Sequence, residues 1–314
     1  MFEKKISVII PCFNHGKYIL ETLDSVLKQT YTNFEIIIVD DHSNTDTIEV
    51  LKKIENPKIR IFFLETNSGP AYCRNYAIER TSGEYILPLD ADDLIEPTFI
   101  EKTVAVLNNN PSVEIVYTEF CLFFNDNKAE NQKYEKPYSL QEILIENMIP
   151  CTALFRKTSW KKVGGFKNDL KIGLEDHEFW IALLELNSTV HQIPEVLFYY
   201  RKHKIPGRND GIKKNDIVNI KSKIANYHPN FYLSNMHLIF MSIHNLKEIN
   251  FDNNILINQR AKEVKSLTDQ YFEAVEKQRI LEIELENYKA HYRNIRYNPI
   301  VNFLIKIRNL IKGK

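Results

Sequence analysis

Short apolar runs closed by polar turns alternate with amphipathic stretches through the first third of the chain. Ile6 to Ile10 is continuously apolar but for Ser7 and is followed by Pro11, which predicts a buried strand. Ile19, Leu23, Val26 and Leu27 fall on one helical face within 17–29. Phe34 to Val39, Ile59 to Leu64 and Tyr85 to Leu89 predict three more strands, and 45–54 and 70–80 two more helices, the second with Pro70 in its first turn. Strand-helix-strand repetition at this spacing predicts an α/β fold with a largely parallel sheet and helices on both faces.

Downstream, Ile115 to Phe120 and Val196 to Tyr200 read as strands, 174–186 as a helix, and the polar stretch 125–136 as a loop. The character changes after Lys204. A seven-residue apolar repeat, Val264, Leu267, Tyr271, Ala274, Leu281, Leu285 and Tyr288, runs through 264–288, with Gln278 interrupting it. It fits either a coiled coil that brings two copies together or a solvated helix on its own body. Residues 299–314 form a basic amphipathic segment, with Ile300, Phe303, Leu304, Ile307 and Ile311 on one face. That segment suits an anionic membrane surface or a terminal helix packed on the body.

Lys+Arg and Asp+Glu both number 41 among the 314 residues, which argues against a dedicated nucleic-acid binder. The cysteines, Cys12, Cys73, Cys121 and Cys151, are too widely spaced for a zinc site or a disulfide framework and fit a reducing compartment. The first apolar run is too short for a signal peptide, and no run reaches the ~20 apolar residues of a membrane span. The expected location is cytoplasmic, at the inner face of the membrane.

In an open α/β sheet, ligands bind beyond the carboxyl ends of the strands. Those positions carry Asn14-His15, Asp40-Asp41, Asn67-Ser68-Gly69 and Asp90-Ala91-Asp92-Asp93, so polar loops converge on one rim. Asp90-Ala91-Asp92 can direct two carboxylates at one hard divalent cation, although aspartate after a strand is also a common turn former.

The company this motif keeps is more specific. Ile6-Ser7-Val8-Ile9-Ile10-Pro11-Cys12-Phe13-Asn14, Gln29-Thr30-Tyr31, Glu35 to Asp41, Asn67-Ser68-Gly69 with Arg74-Asn75, Ser82 to Ile86 and Leu89 to Asp93 occur in order; later come Val163-Gly164-Gly165-Phe166, Glu175-Asp176, and Tyr200-Arg201 with His203. Over about residues 1–205 the chain resembles glycosyltransferase family 2, whose fold is the Rossmann-like GT-A type.

The resemblance implies a GT-A domain at 1–205, with a donor half at about 1–110 and an acceptor half at 111–205, and a helical extension at 206–314. It implies an inverting, metal-dependent transfer of sugar from a nucleotide-sugar, a UDP-sugar by the Phe13 and Asp41 positions, to a hydroxyl of a glycan or lipid-linked glycan in surface polysaccharide or lipopolysaccharide assembly. Pro11, Phe13, Asp40, Asp41, Asn67, Arg74, Asp90 and Arg201 would bind the donor. Asp90, Asp92 and His203 would hold Mn²⁺ or Mg²⁺, and Asp176 would be the general base, with Glu175 the alternative. The family follows its late Tyr-Arg-x-His with small residues, whereas Lys204-Ile205-Pro206-Gly207-Arg208 stands here.

Three other functions fit parts of the pattern. A haloacid-dehalogenase-type phosphatase also uses Asp-x-Asp, but after its first strand. A sugar nucleotidyltransferase needs a Gly-rich loop where Cys12 to Gly16 stands. A weakly catalytic nucleotide-sugar binder or membrane scaffold would not need both Asp92 and Asp176 intact.

Overall fold

Residues of the first strand, β1 (Ile6–Cys12), alternate between two cores. Ile6, Val8 and Ile10 join one and Ile9 the other, all fully buried. The computed structural model describes residues 4–124, 127–134, 137–203 and 213–242, and then 244, 273, 276–287, 289, 303 and 308. Burial on both faces is why this strand and β2 (Phe34–Asp40) read as unbroken apolar runs. β1 pairs in parallel with β2 and with β4 (Tyr85–Pro88), and β2 with β3 (Ile59–Phe63).

Helix α1 (Ile19–Leu27) places Ile19, Leu23 and Val26 on the first core, where Phe99, Ile100, Val104 and Leu107 of α4 (Phe99–Asn109) join them. Helix α2 (Thr45–Lys52) starts at Asn44, whose side chain accepts the Thr47 amide at 3.0 Å. Helix α3 (Pro70–Glu79) lies on the second core through Ala71, Cys73, Ala77 and Ile78, so both sheet faces are covered. Each large apolar side chain removed from water contributes roughly 1.5–3 kcal/mol.

Across β4 the sheet becomes mixed. Its order is β3-β2-β1-β4-β8-β6-β9-β5, where β5 is Leu94–Ile95, β6 Val113–Phe124, β8 Leu154–Arg156 and β9 Thr189–Lys202. β8 runs antiparallel to β4 and β6, β9 parallel to β6, and β5 antiparallel to β9. Strand β7 (Asn127–Tyr134) pairs antiparallel with β6 at 124–127 and 120–134, which corrects the expected loop at 125–136. Its pairing is made by backbone, and a polar edge strand carries no apolar alternation to read.

Between β7 and β9 lie α5 (Leu140–Ile143), α6 (Lys157–Val163) and α7 (Glu175–Leu184). α7 is almost wholly buried; Phe179 stacks on Phe166 at 4.1 Å between ring centres and Trp180 donates to the Ile149 carbonyl at 3.1 Å. One compact unit spans Met1–Ile243. It includes helix α8 (Lys214–Tyr227), which buries Ile220 and Ile224 in the second core, followed by α9 (Pro229–Ser234). His244–Lys314 form a separate unit, in which Leu281 and Leu285 are exposed. The rest of the expected coiled-coil seam, and all of 299–314 but Phe303 and Arg308, lie outside the described residues. Among the described residues, no helix is long and apolar enough to cross a membrane.

Candidate active site

The carboxyl ends of β1, β2 and β4 open into a cleft of about 460 Å³. Of the twelve positions expected to matter, nine line it: Pro11, Phe13, Asp41, Asn67, Arg74, Asp90, Asp92, Arg201 and His203. Asp40, Glu175 and Asp176 do not.

The rim is built by short, strongly specified turns. Asn14 takes a left-handed φ of 59°, accepts the Asn44 amide through Oδ1 and donates its own amide to the Ser43 hydroxyl. A Cβ at Gly16 would meet the Thr47 backbone at 2.8 Å, so only glycine lets this loop close on α2. Phe13 is left 46% exposed at the cleft wall, an uncovered ring available for stacking. Asp41 accepts the Ser68 amide at 2.6 Å and the Gly69 amide at 2.9 Å, while Asn67 donates to its carbonyl. Asp40 is buried behind it and accepts the Ser43 amide.

Arg74 and Arg201, both expected to reach the donor, line the cleft and also hold carboxylates of the protein. Arg74 is buried on α3 and divides its guanidinium between Asp90 and Glu175, each at 2.8 Å. Asp90 thus faces Arg74 through Oδ1 at the cleft wall. Arg201 packs between Tyr18 and Phe123, ring centres 4.8 and 4.4 Å away. It donates to Glu21 and to the Asp92 carbonyl, and its amide binds Asp93 at 2.8 Å. Burial, then the charges of Asp92 and Asp90, push Asp93 well above the usual carboxylate range. Arg201 thus fixes the backbone that presents Asp92.

At that position His203 Nε2 lies 2.6 Å from Asp92 Oδ2, and His15 Nδ1 lies 3.7 Å from the same oxygen. One ligand atom from each of the three residues falls within 4.8 Å of the others. His15 was visible in the sequence only as a rim residue. Its partners are 77 and 188 positions away, a proximity no local pattern encodes. Lys171 and Lys202 also line the cleft and carried no sequence signal.

Glu175 and Asp176 open α7. Leu174 before them has φ 62°, a left-handed conformation that costs a branched residue of order 1–3 kcal/mol, and Gly173 precedes it. Glu175 is buried against Arg74, whereas Asp176 remains partly exposed and accepts the Asn147 amide at 2.8 Å and the His177 amide at 2.8 Å. Burial, then the adjacent Glu175 charge, push the Asp176 carboxyl up to about 6; Arg74 and the two amides oppose this. A carboxyl tuned this way is suited to general-base work near neutral pH.

Comparison with known proteins agrees with this geometry. Residues 7–164 match the model for glycosyl transferase family 2. An uncharacterised glycosyltransferase of Rickettsia typhi is 35% identical over 225 residues, 68% of this chain and 69% of that protein. Chondroitin synthase of Escherichia coli is 30% identical over 216 residues, covering 68% of this chain but 30% of that protein. The crystal structure of Staphylococcus aureus TarS 1-349 in complex with UDP-GlcNAc superposes with a TM-score of 0.60 at 25% identity, over 71% of this chain and 66% of that one. With half of the chain inside the family model and the GT-A architecture around its rim, this chain belongs to glycosyl transferase family 2.

Proposed function

We propose that the chain transfers a sugar, with inversion, from a UDP-sugar to a hydroxyl of a glycan or lipid-linked glycan during assembly of a surface polysaccharide. The observation that carries this reading is the ion-pair bridge Asp90–Arg74–Glu175, which ties the donor rim to the helix end bearing Asp176. Names of similar proteins support the substrate class: chondroitin synthase is a relative, and the TarS structure holds UDP-GlcNAc.

Phe13 stacks on the base, and Asp41 and Asn67 offer polar contacts to its edge. Lys171 faces the diphosphate. Asp176 takes the proton of the acceptor hydroxyl while its oxygen bonds to the anomeric carbon and the bond to the diphosphate oxygen breaks on the opposite side. Asp92 and His203 fit a divalent cation, Mn²⁺ or Mg²⁺, through one carboxylate oxygen and one imidazole nitrogen. Such a cation, when bound, neutralises charge on the leaving diphosphate. The basic segment 299–314 would bring the protein to an anionic membrane face where lipid-linked acceptors lie.

A panel of nucleotide-sugars, each with Mn²⁺ and a glycan acceptor, tests the reading by nucleoside diphosphate release and by the anomeric configuration of the product. Turnover of UDP-sugars with inverted configuration is expected. Product of retained configuration, or no preference for UDP-sugars, would overturn it. Removing 299–314 should release the protein from anionic vesicles, and unchanged co-sedimentation would remove the membrane assignment.

A further inference from the structure

We propose that His15, Asp92 and His203 form a preassembled three-ligand site, which takes up a divalent transition metal before nucleotide arrives and discriminates against Mg²⁺. This rests on the reading above that a cation sits at Asp92 and His203, and it adds a ligand from the loop after β1.

Three observations carry it. The ligand atoms of His15, Asp92 and His203 already lie within 4.8 Å of one another, a spacing that one ion can span. His15 Nδ1 is buried with no hydrogen-bond partner and lies 3.7 Å from Asp92 Oδ2, beyond hydrogen-bond reach but on the same side as His203. The rings are also held in place. Tyr18 packs against both, ring centres 6.1 Å from His15 and 5.1 Å from His203, and the Arg201 guanidinium lies 4.8 Å from the Tyr18 ring centre while binding the Asp92 carbonyl. Packing of this kind fixes ligand orientation without a metal present.

Two imidazole nitrogens and one carboxylate oxygen make a donor set poorly matched to Mg²⁺, which prefers oxygen and keeps its waters. Affinity should rise from Mg²⁺ through Mn²⁺ to Co²⁺ and Zn²⁺. The His15 loop also carries Phe13, so metal loading and the base wall share one short segment.

The test uses the full chain without nucleotide. Free Mn²⁺ is followed by electron paramagnetic resonance, with Mg²⁺ as competitor, and Co²⁺ by its visible absorption. One Mn²⁺ should bind without UDP, and Mg²⁺ should displace it only at large excess. Loss of an outer-shell partner alone typically costs 10–100-fold in metal affinity, so His15→Asn should weaken Mn²⁺ by at least about tenfold. In the unsubstituted protein, Zn²⁺ should shift the ¹⁵N resonances of the His15 ring, a readout independent of whether the variant folds. If His15→Asn binds Mn²⁺ like the parent while His203→Asn does not, the third ligand is refuted and the two-residue site stands. Mn²⁺ binding that needs UDP, or equal affinity for Mg²⁺, refutes preassembly. No binding with or without UDP removes the cation reading beneath it as well.

Discussion

Two regions of the unit that spans Met1–Ile243 are each stapled by a buried charge, and the two charges have opposite habits. In one, Glu35 is the second residue of β2, at the end of the strand away from the cleft. It accepts Ser7 Oγ at 2.8 Å and the Ser82 amide and hydroxyl at 2.6 and 2.9 Å, and pairs with Arg60 and Lys5. Burial alone would raise its carboxyl, yet the Ser82 amide, the two hydroxyls and Lys5 outweigh that and hold it at about 2. In the other, α7 is tied to the turn between α8 and α9 by a buried histidine. His228 contacts Glu178 at 3.0 Å and Glu185 at 2.8 Å. Burial would lower its imidazole, but the two carboxylates raise it above the ordinary 6.5. One region is stapled by an anion that resists protonation and the other by a cation that resists deprotonation. At the active-site end the two are joined by Arg74, through ion pairs to Asp90 and Glu175, by Arg201, through Glu21 and the Asp92 carbonyl, and by the contact of His203 with Asp92.

Several substitutions separate these roles. The largest effect is expected at Asp176. Asp176→Asn should retain donor binding by calorimetry and lower kcat by roughly 10²–10⁴-fold, the usual contribution of a general base. In the parent, kcat should fall as pH drops through about 6 and stay level above it. The same change removes a carboxylate pressed against Glu175, so the melting temperature should rise; a fall would mean that Asp176 is structural.

Arg74→Leu attacks the bridge itself. It leaves Glu175 buried without its cation, and removing one partner of a buried pair costs about 3–5 kcal/mol. Chemical denaturation should register that loss together with loss of transfer. A variant of unchanged stability would show that the two regions are held together elsewhere.

Glu35→Gln should cost about 2 kcal/mol and leave donor affinity unchanged, because the residue lies at the far end of the strands. In the parent, this contribution is present above the ordinary carboxylate value and is lost as pH falls from about 4.5 toward 2. Hydrogen exchange should therefore quicken first in β1, β2 and β4 on acidification. The smallest expected effect is at His228. Its stabilisation is complete below 6.5 and is lost as pH rises through the higher folded value, so exchange in α7 and α8 should quicken on the alkaline side. His228→Gln should flatten that limb, and an unaltered limb would assign it to another group.

The region from β1 to β4 is the more legible in the sequence for a physical reason. Its parallel strands are buried on both faces, so each is an apolar run, and each rim loop follows its strand at once. Phe13, Asp41, Asn67, Asp90 and Asp92 therefore reach one cleft by adjacency alone. The region from β6 to β9 is assembled by short antiparallel pieces such as β8, and by the polar edge strand β7, neither of which leaves a periodic trace. Charge partners were not legible anywhere. Arg74 and Arg201 carried the motif, but pairing with Asp90, Glu175 and Glu21 joins segments 16, 101 and 180 residues apart. His15 was passed over for the same reason.

Adjacent residues of α3 serve both sides of the molecule. While Arg74 faces the cleft, Asn75 accepts the Trp160 indole N–H at 3.0 Å and the Phe166 amide at 2.9 Å, and donates to the Phe166 carbonyl. A Cβ at Gly165 would meet the Asn75 side chain at 2.5 Å, so the clasp also fixes which residue can precede Phe166. Recombining such glycosyltransferases therefore has a natural unit that the chain order conceals. A transplanted segment from β6 through α7 must carry the matching Arg74-Asn75 pair with it, or the graft inherits a glutamate without its arginine and a loop without its clasp.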